Sequence, residues 1–244
     1  TAPGDSASLA GRPEAVAAAL PGLIGRVAAR YAGASRYSRG FVPRKLRHDP
    51  ATAAILARAA AVGGFAKSRK RKDGLYAMVD VGAGTIDCCT FSLFDREGQD
   101  RCPIFTADVS MLGVEPYQAC ADAPELSAQF RYEVTLRQRQ VLFVTLRRRY
   151  PSSPHWVTGL PLFLVGGGSL SEPHLTAALG LDRWLKEDLG LAGGAKVQGL
   201  PDPENLIHEA EAKDLHRLAV AVGLSLPALD IPEVELPQSI EDEY

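Results

Sequence analysis

Apolar runs separated by glycine turns predict an antiparallel meander in the middle of the chain. Between Leu75 and Phe94 an apolar run rich in Val, Met and Tyr enters a glycine turn and leaves as a second run of β-branched and aromatic residues. Because both runs have strand character, the turn predicts a hairpin. A third strand-like run, 102–109, follows another short glycine turn. Three consecutive strands joined by short turns form a meander.

Helical spacing of apolar residues predicts most of the remaining elements. The pattern occurs in 13–32, where Pro21 interrupts it, in the alanine-rich segment 51–61, and in the long segment 126–150. A short helix is expected from Gly113 to about residue 121. Short apolar runs predict strands at 160–165 and 196–200. Further segments with helical spacing predict helices at 171–179, 184–189 and 215–226.

Composition changes this picture only by excluding some classes of protein. With 244 residues, 46% hydrophobic content and a formal net charge of −2, the chain can bury a substantial core as one large domain or two small ones. The weak net charge argues against a nucleic-acid-binding or membrane-surface protein, and no apolar run reaches the ~18 residues of a spanning helix. The first residues lack the basic and apolar regions of a secretory signal. We therefore expect a soluble cytoplasmic protein.

The four cysteines do not indicate a metal site. They lack the paired spacing of zinc ligands, and the adjacent Cys88 and Cys89 would point to opposite faces of a strand. We expect all four to be buried, reduced thiols: Cys88, Cys89, Cys102 and Cys120.

Two charged segments interrupt the hydrophobic pattern. The basic run 67–72 has no interleaved aromatic residues, which favours a solvated loop over a nucleic-acid or acidic-partner site. The acidic segment 231–244 is expected to form a tail that is disordered or docks on a partner.

The tip of the predicted hairpin carries candidate chemistry. It contains Asp80, Gly82, Gly84, Thr85 and Asp87. Its glycines let main-chain N–H groups approach an anion closely, while the threonine adds a hydroxyl and Asp80 a carboxylate. Such a tip can hold a phosphate group and its Mg²⁺.

Two other interpretations of this turn stay open. A dinucleotide-binding fingerprint would need a third glycine where Asp87 stands and a helix after the turn, and neither is found. An ordinary hairpin would need its glycines for turn geometry alone. A second glycine cluster later in the chain favours a ligand site over the ordinary hairpin.

That second cluster follows the short apolar strand 160–165. Gly166, Gly167, Gly168 and Ser169 leave a gap in side-chain cover, where a flat ring can lie on bare backbone. The alternative is a flexible connection to the next helix. Three consecutive glycines, however, lose much conformational entropy on folding, and this cost favours a functional reason for their presence.

The two clusters together resemble a known superfamily. D-V-G-A-G-T-I-D resembles the second phosphate motif, D-x-G-x-G-T-x-D, of the actin, heat-shock-chaperone (DnaK-type) and sugar-kinase ATPases. F-L-V-G-G-G-S, about eighty residues on, resembles their adenosine motif. The segments 49–54 and 217–225 are similar to the two interdomain helices. The resemblance implies an α/β fold, an RNase-H-like mixed sheet with flanking helices, as in the second lobe of these proteins.

The resemblance also implies roles for individual residues. Asp80 would hold Mg²⁺ through water and help place the attacking water, and Asp49 would orient that hydrolytic water. The first glycine turn would bind the β- and γ-phosphates, and the second would lie against the adenosine. The implied nucleotide-binding residues are Gly82, Ala83, Gly84, Thr85, Gly166, Gly167, Gly168 and Ser169.

The resemblance is incomplete at its start. No D-x-G-T turn precedes Asp80, so we expect 1–66 to be a remnant of the first lobe with an interdomain helix, the rest of that lobe being largely absent. We expect 73–230 to form the second lobe, with a reduced upper subdomain at about 113–158, and 231–244 to be the tail.

The implied function is binding of Mg-ATP, with hydrolysis coupled to a conformational or assembly change. The implied partners are ATP or ADP and another protein or further copies of the chain, rather than nucleic acid or membrane. The alternative is a degenerate module that does not hydrolyse ATP and acts as a protein-interaction scaffold.

Overall fold

The computed structural model describes residues 61–201, 215–226 and 231–235, all within one compact unit, Lys45–Tyr244. The predicted helices 13–32 and 51–60 lie outside the described residues. The division into lobes stays a prediction.

The meander is confirmed. Strand β1 (Gly74–Val81) pairs antiparallel with β2 (Ile86–Arg96), and β2 pairs antiparallel with β3 (Gln99–Ser110). Residues 82–85 make the turn between β1 and β2. Strand β1 ends and β2 begins at this turn, which lies at one edge of the sheet. Strand β3 ends at the same edge, because its last residue, Ser110, lies opposite Ile86.

Three further strands complete a six-stranded mixed sheet. Strand β4 (Leu160–Val165) pairs parallel with β1, β5 (Ala195–Gln198) pairs parallel with β4, and β6 (Glu233–Glu235) pairs parallel with β3. The order across the sheet is β5-β4-β1-β2-β3-β6. The predicted fold class, a mixed α/β sheet with flanking helices, is confirmed.

The helices follow the predicted apolar spacing. Helix α1 is Val114–Cys120, and α2 is Pro124–Val144, which continues into a π-helical turn, Thr145–Arg149. Helix α4 is Glu172–Arg183, which also ends in a π-helical turn, Trp184–Asp188. The short α3 is His155–Thr158, α5 is Leu215–Ser225, and residues 61–66 are helical.

Each face of the sheet buries its own core. Because strand residues alternate between faces, Cys88 packs into one core and Cys89 into the other. The first core contains side chains of α2 and α4, such as Val134 and Leu181. The second contains the helical residues 61–66 and Ala219 of α5. All four cysteines are buried and free, as predicted.

Three features of the local structure differ from the sequence prediction. The helices predicted at 171–179 and 184–189 form one continuous segment, because buried Leu181, Trp184 and Leu185 continue the apolar stripe past Gly180. The one-turn helix α3 was not expected; it buries Trp156, whose indole N–H donates to the Tyr150 carbonyl at 2.8 Å.

The third correction concerns the acidic segment 231–244, which was expected to form a tail outside the folded domain. Its residues 233–235 instead form β6 on the edge of β3. Arg101 of β3 forms ion pairs with Glu233 at 2.5 Å and with Glu235 at 3.8 Å. Two of the negative charges that suggested a solvated tail, Glu233 and Glu235, are therefore paired within the fold.

Across the described residues, no helix combines the length and the apolar character that crossing a membrane requires.

Candidate functional site

The two glycine turns lie at the same edge of the sheet. Strands β1 and β4 are neighbours and run in the same direction, with Asp80 opposite Val165. The turn that follows each strand therefore leaves the sheet on the same side. The Gly168 N–H donates to the Val81 carbonyl at 2.8 Å and joins the two turns directly.

The first turn is closed and braced by main-chain hydrogen bonds. Its own closing bond runs from the Gly82 N–H to the Thr85 carbonyl at 2.9 Å. The segment 113–115, in which the loop after β3 leads into the first residues of α1, then donates three N–H groups to the turn's carbonyls. The Gly113 N–H donates to the Gly84 carbonyl at 3.1 Å, the Val114 N–H to the Gly82 carbonyl at 3.2 Å, and the Glu115 N–H to the Ala83 carbonyl at 2.7 Å.

This bracing requires a glycine at 113. A Cβ built there would lie 2.5 Å from both the Ala83 carbonyl oxygen and the Thr85 nitrogen. Both neighbours are backbone atoms, so they cannot move aside at low cost. The close approach of the loop to the turn therefore depends on the missing side chain.

The second turn packs directly against the first strand. Gly166 has φ +88°, and a Cβ there would overlap Asp80 Oδ1 and lie 2.5 Å from the Val81 carbonyl oxygen. A Cβ on Gly168 would overlap Val114 Cγ2. Both glycines are thus needed for close approach, and Gly166 also for its backbone conformation.

Helix α5 covers the second turn. The Gly166 N–H donates to the His216 carbonyl at 2.9 Å, and Arg217 Nε lies 3.8 Å from the place where a Cβ of Gly167 would be. The segment 217–225, which resembles an interdomain helix, therefore begins beside the glycine cluster.

The predicted site residues differ in exposure. Ala83 and Gly167 are exposed, and Asp80, Gly82, Thr85 and Gly166 are half-buried. Gly84, Gly168 and Ser169 are buried. Within the described part of the chain the buried Ser169 Oγ has no hydrogen-bond partner. Its hydroxyl can therefore still donate and accept hydrogen bonds.

The two carboxylates of the hairpin share one face of the sheet. Asp80 and Asp87 are directly paired across β1 and β2, which places their side chains on the same side. Among the residues described, no group of three or more His, Cys, Asp or Glu side chains is arranged to hold a metal ion. Any Mg²⁺ at this edge would therefore depend on few protein ligands together with water and phosphate oxygens.

A buried histidine that the sequence did not single out connects to this site. His174, on the first turn of α4, is fully buried, and its Nε2 lies 2.6 Å from the Leu112 carbonyl oxygen. Burial lowers the pKa of His174, while the bond to Leu112 and the nearby Glu172 oppose that shift. No sequence pattern marks it, since a lone histidine in a helix is usually a core residue.

The remaining predicted catalytic residue, Asp49, lies outside the described residues, as does the segment 49–54 that resembles the first interdomain helix. Its role stays a prediction.

Comparisons with known proteins add little to these observations. No protein-family model and no curated protein sequence matches the chain. Among solved structures, the chain is similar to the PilM-PilN type IV pilus biogenesis complex, with 16% identity and a TM-score of 0.39 over 70% of this chain and 50% of that one. It is also similar to the ethanolamine utilization protein EutJ from Carboxydothermus hydrogenoformans, with 16% identity and a TM-score of 0.32 over 66% of this chain and 53% of that one.

The chain thus spans about half the length of each of these structures. At such TM-scores and identities, neither similarity bears on what the chain binds. The fold assignment rests on the strand order and helix packing described above.

Proposed function

We propose that the chain binds Mg-ATP at the edge of the sheet where the two glycine turns meet, and that hydrolysis is coupled to a conformational or assembly change. One observation carries the proposal. The carboxylate of Asp80, beside the first turn, lies directly on the bare backbone of Gly166 in the second turn. A carboxylate and two glycine turns are therefore available to a single ligand.

The chemistry of the two turns supports a nucleotide. Since the Gly82 N–H already closes the turn onto the Thr85 carbonyl, the N–H groups of Ala83 and Gly84, with the hydroxyl of Thr85, would bind the β- and γ-phosphates, and Gly82 would line the site. The bare surface of 166–169 would receive the adenosine, and the buried Ser169 hydroxyl is a hydrogen-bonding group with no described partner.

Asp80 fits the role of the magnesium residue. It is half-buried at the site edge, and the lack of a side chain on Gly166 leaves room for its carboxylate. Bound Mg²⁺ would neutralise charge on the phosphate oxygens, and carboxylate oxygen is among its preferred ligands.

Hydrolysis would need more than these two turns. Phosphoryl transfer depends on positioning the attacking water and stabilising charge at the phosphoryl group. The group proposed to orient the water, Asp49, lies outside the described residues. Nucleotide binding is therefore the part of the proposal that the described residues support best.

A non-hydrolysing interaction scaffold is the second candidate. Tyr132, Leu136 and Phe143 on α2 are exposed, and their spacing places them along one side of the helix. The basic loop favours it less, since Arg71 and Lys67 already form ion pairs with Asp100 at 2.8 and 3.9 Å.

Calorimetric titration with Mg-ATP tests the proposal. We expect saturable binding by the wild type and strong weakening in Asp80→Asn, which keeps the shape of the side chain and removes its charge. The matched control is Asp182→Asn, since Asp182 is a surface carboxylate of α4 that pairs only with Lys186 at 2.9 Å in the described contacts. Absence of heat with the wild type, or equal affinity in the two variants, would overturn the proposal and favour the scaffold.

A further inference from the structure

The segment 112–115, at the junction of the loop after β3 and helix α1, contacts both glycine turns. Its amides donate to three carbonyls of the first turn, as described above. Its Val114 side chain packs on Gly168 of the second turn so closely that a Cβ on that glycine would overlap Val114 Cγ2. The position of residues 112–115 therefore affects the geometry of both turns.

His174 attaches this loop to helix α4. Its ring nitrogen Nε2 lies 2.6 Å from the carbonyl oxygen of Leu112, the residue before Gly113. The helix that carries it starts directly after the second glycine turn, where the Ser171 N–H donates to the Gly168 carbonyl at 2.9 Å. One side chain thus links the helix of the second turn to the loop that braces the first.

The surroundings of the ring select one protonation state. A carbonyl oxygen can only accept, so Nε2 must carry the proton and donate it to Leu112. In the neutral ring Nδ1 is then an acceptor, and it is buried with no hydrogen-bond partner among the described residues. Protonation of Nδ1 would bury an N–H group with no described acceptor.

The other contacts of the ring keep it in place without replacing that hydrogen bond. Its edge packs on Phe130 of α2, with centroids 5.8 Å apart and planes at 81°. The charged and titratable groups around it are Glu172 on its own helix, Arg131 of α2, and Tyr117 of α1. Arg131 pairs with Glu172 and donates to the Tyr117 hydroxyl at 2.7 Å.

We propose that His174 is a positioning residue of the nucleotide site, acting through its Nε2 hydrogen bond to Leu112 to hold residues 112–115 against both glycine turns. This inference rests on the proposed function. The neutral ring is the form that these surroundings favour, because protonation of Nδ1 would bury a second N–H group with no described acceptor. A histidine that only fills the core would need its volume there, but not this particular donor.

Three variants separate positioning from core filling. His174→Gln keeps an N–H donor near the position of Nε2, and His174→Phe keeps an aromatic ring without the donor. Leu181→Ala weakens the same helix through a cavity and leaves Leu112 untouched; Leu181 is 1% exposed. Each variant is compared with the wild type at a temperature where thermal melting shows it to be folded.

The first measurement needs no nucleotide. We expect faster amide hydrogen exchange at Gly113, Val114 and Glu115 in His174→Phe, with rates near wild type in His174→Gln and in Leu181→Ala. Equal protection of these three amides in the Phe and Gln variants would overturn the bracing role, whatever the protein binds.

The second measurement is Mg-ATP affinity. We expect His174→Phe to bind about tenfold more weakly than the wild type, as for loss of one buried hydrogen bond, and His174→Gln to stay within about twofold. If Leu181→Ala loses as much affinity as His174→Phe, the positioning role is wrong. No binding by the wild type would instead refute the proposed function, and hydrogen exchange would still decide the bracing role.

Discussion

Gly166 lies directly against the carboxylate of Asp80, so that any side chain on Gly166 would overlap Asp80 Oδ1. Neither residue alone distinguishes a ligand site from an ordinary turn. Their contact follows from the parallel pairing of β1 and β4, which brings the end of one strand beside the end of the other.

Substitution of Gly166 by Ala should affect both stability and binding. Gly190 is the matched control, because it also has a positive φ (+67°) and has no atom within 4 Å of an added Cβ. Backbone strain should cost about 1–2 kcal/mol in each variant. In Gly166→Ala the overlap with Asp80 and Val81 should add about 1–3 kcal/mol. Denaturant unfolding measures both values.

In the same pair of variants, Mg-ATP titration should show weakened binding only for Gly166→Ala. Equal unfolding free energies for the two variants would contradict the packing described around Gly166.

Stability should decrease as the solution becomes acidic. Burial lowers the pKa of His174 and of His155, and Lys196 adds to the effect on His155. Both folded-state values lie below the ordinary value of 6.5, so the unfolded chain binds more protons below that pH. The stabilisation is complete above about pH 6.5 and is lost as the pH falls toward the folded-state pKa values.

Unfolding free energies at pH 5.5 and 7.5 check this effect against other titrating groups. Glutamine does not titrate, so His174→Gln and His155→Gln should each show a smaller decrease than the wild type. A pH dependence unchanged in both variants would show that neither imidazole is responsible.

A buried cluster of hydroxyl groups should stabilise the end of α2. Thr145 Oγ1 lies 2.5 Å from Thr90 Oγ1 and 2.9 Å from both Thr106 Oγ1 and the carbonyl oxygen of Val141. Thr145→Val keeps the side-chain shape and leaves the other two hydroxyls without this partner. The expected cost is about 1–3 kcal/mol of unfolding free energy.

The double variant Thr90→Val with Thr145→Val provides the control for that result. Since it removes both partners of the 2.5 Å contact, it should recover part of the loss. Additive losses in the double variant would mean that the two hydroxyls do not interact energetically.

Strand β6 should protect Cys102 from reagents. Cys102 is fully buried opposite Val234, and burial raises the pKa of its thiol far above the ordinary range. Val234→Asp should weaken the strand and speed labelling of Cys102 about tenfold, as for a fall of about 1.4 kcal/mol in the local opening free energy. Mass spectrometry of labelled peptides measures the rate.

Val157→Asp is the comparison for this experiment, because Val157 is 65% exposed and should tolerate the charge. If both variants label Cys102 equally fast, β6 does not control access to the thiol.

Much of the fold could be predicted because its signals are local. The apolar runs beside the glycine turns gave β1, β2 and β3 within a few residues, and the apolar run 160–165 coincides with β4. The helical spacing likewise indicated α1, α2 and α5. Where charge or glycine competed with packing, the sequence was misleading: α4 runs past Gly180, and the acidic residues of β6 pair with Arg101.

By itself, then, the sequence determined the elements and the two glycine turns, since strand alternation, helical spacing and turn chemistry are properties of neighbouring residues. Only the tertiary structure decided that the turns meet. Contacts between Asp80 and Gly166, or between Leu112 and His174, depend on strand order and helix placement. Those are set by burial of both faces of the sheet, a property of the whole chain that no local pattern contains.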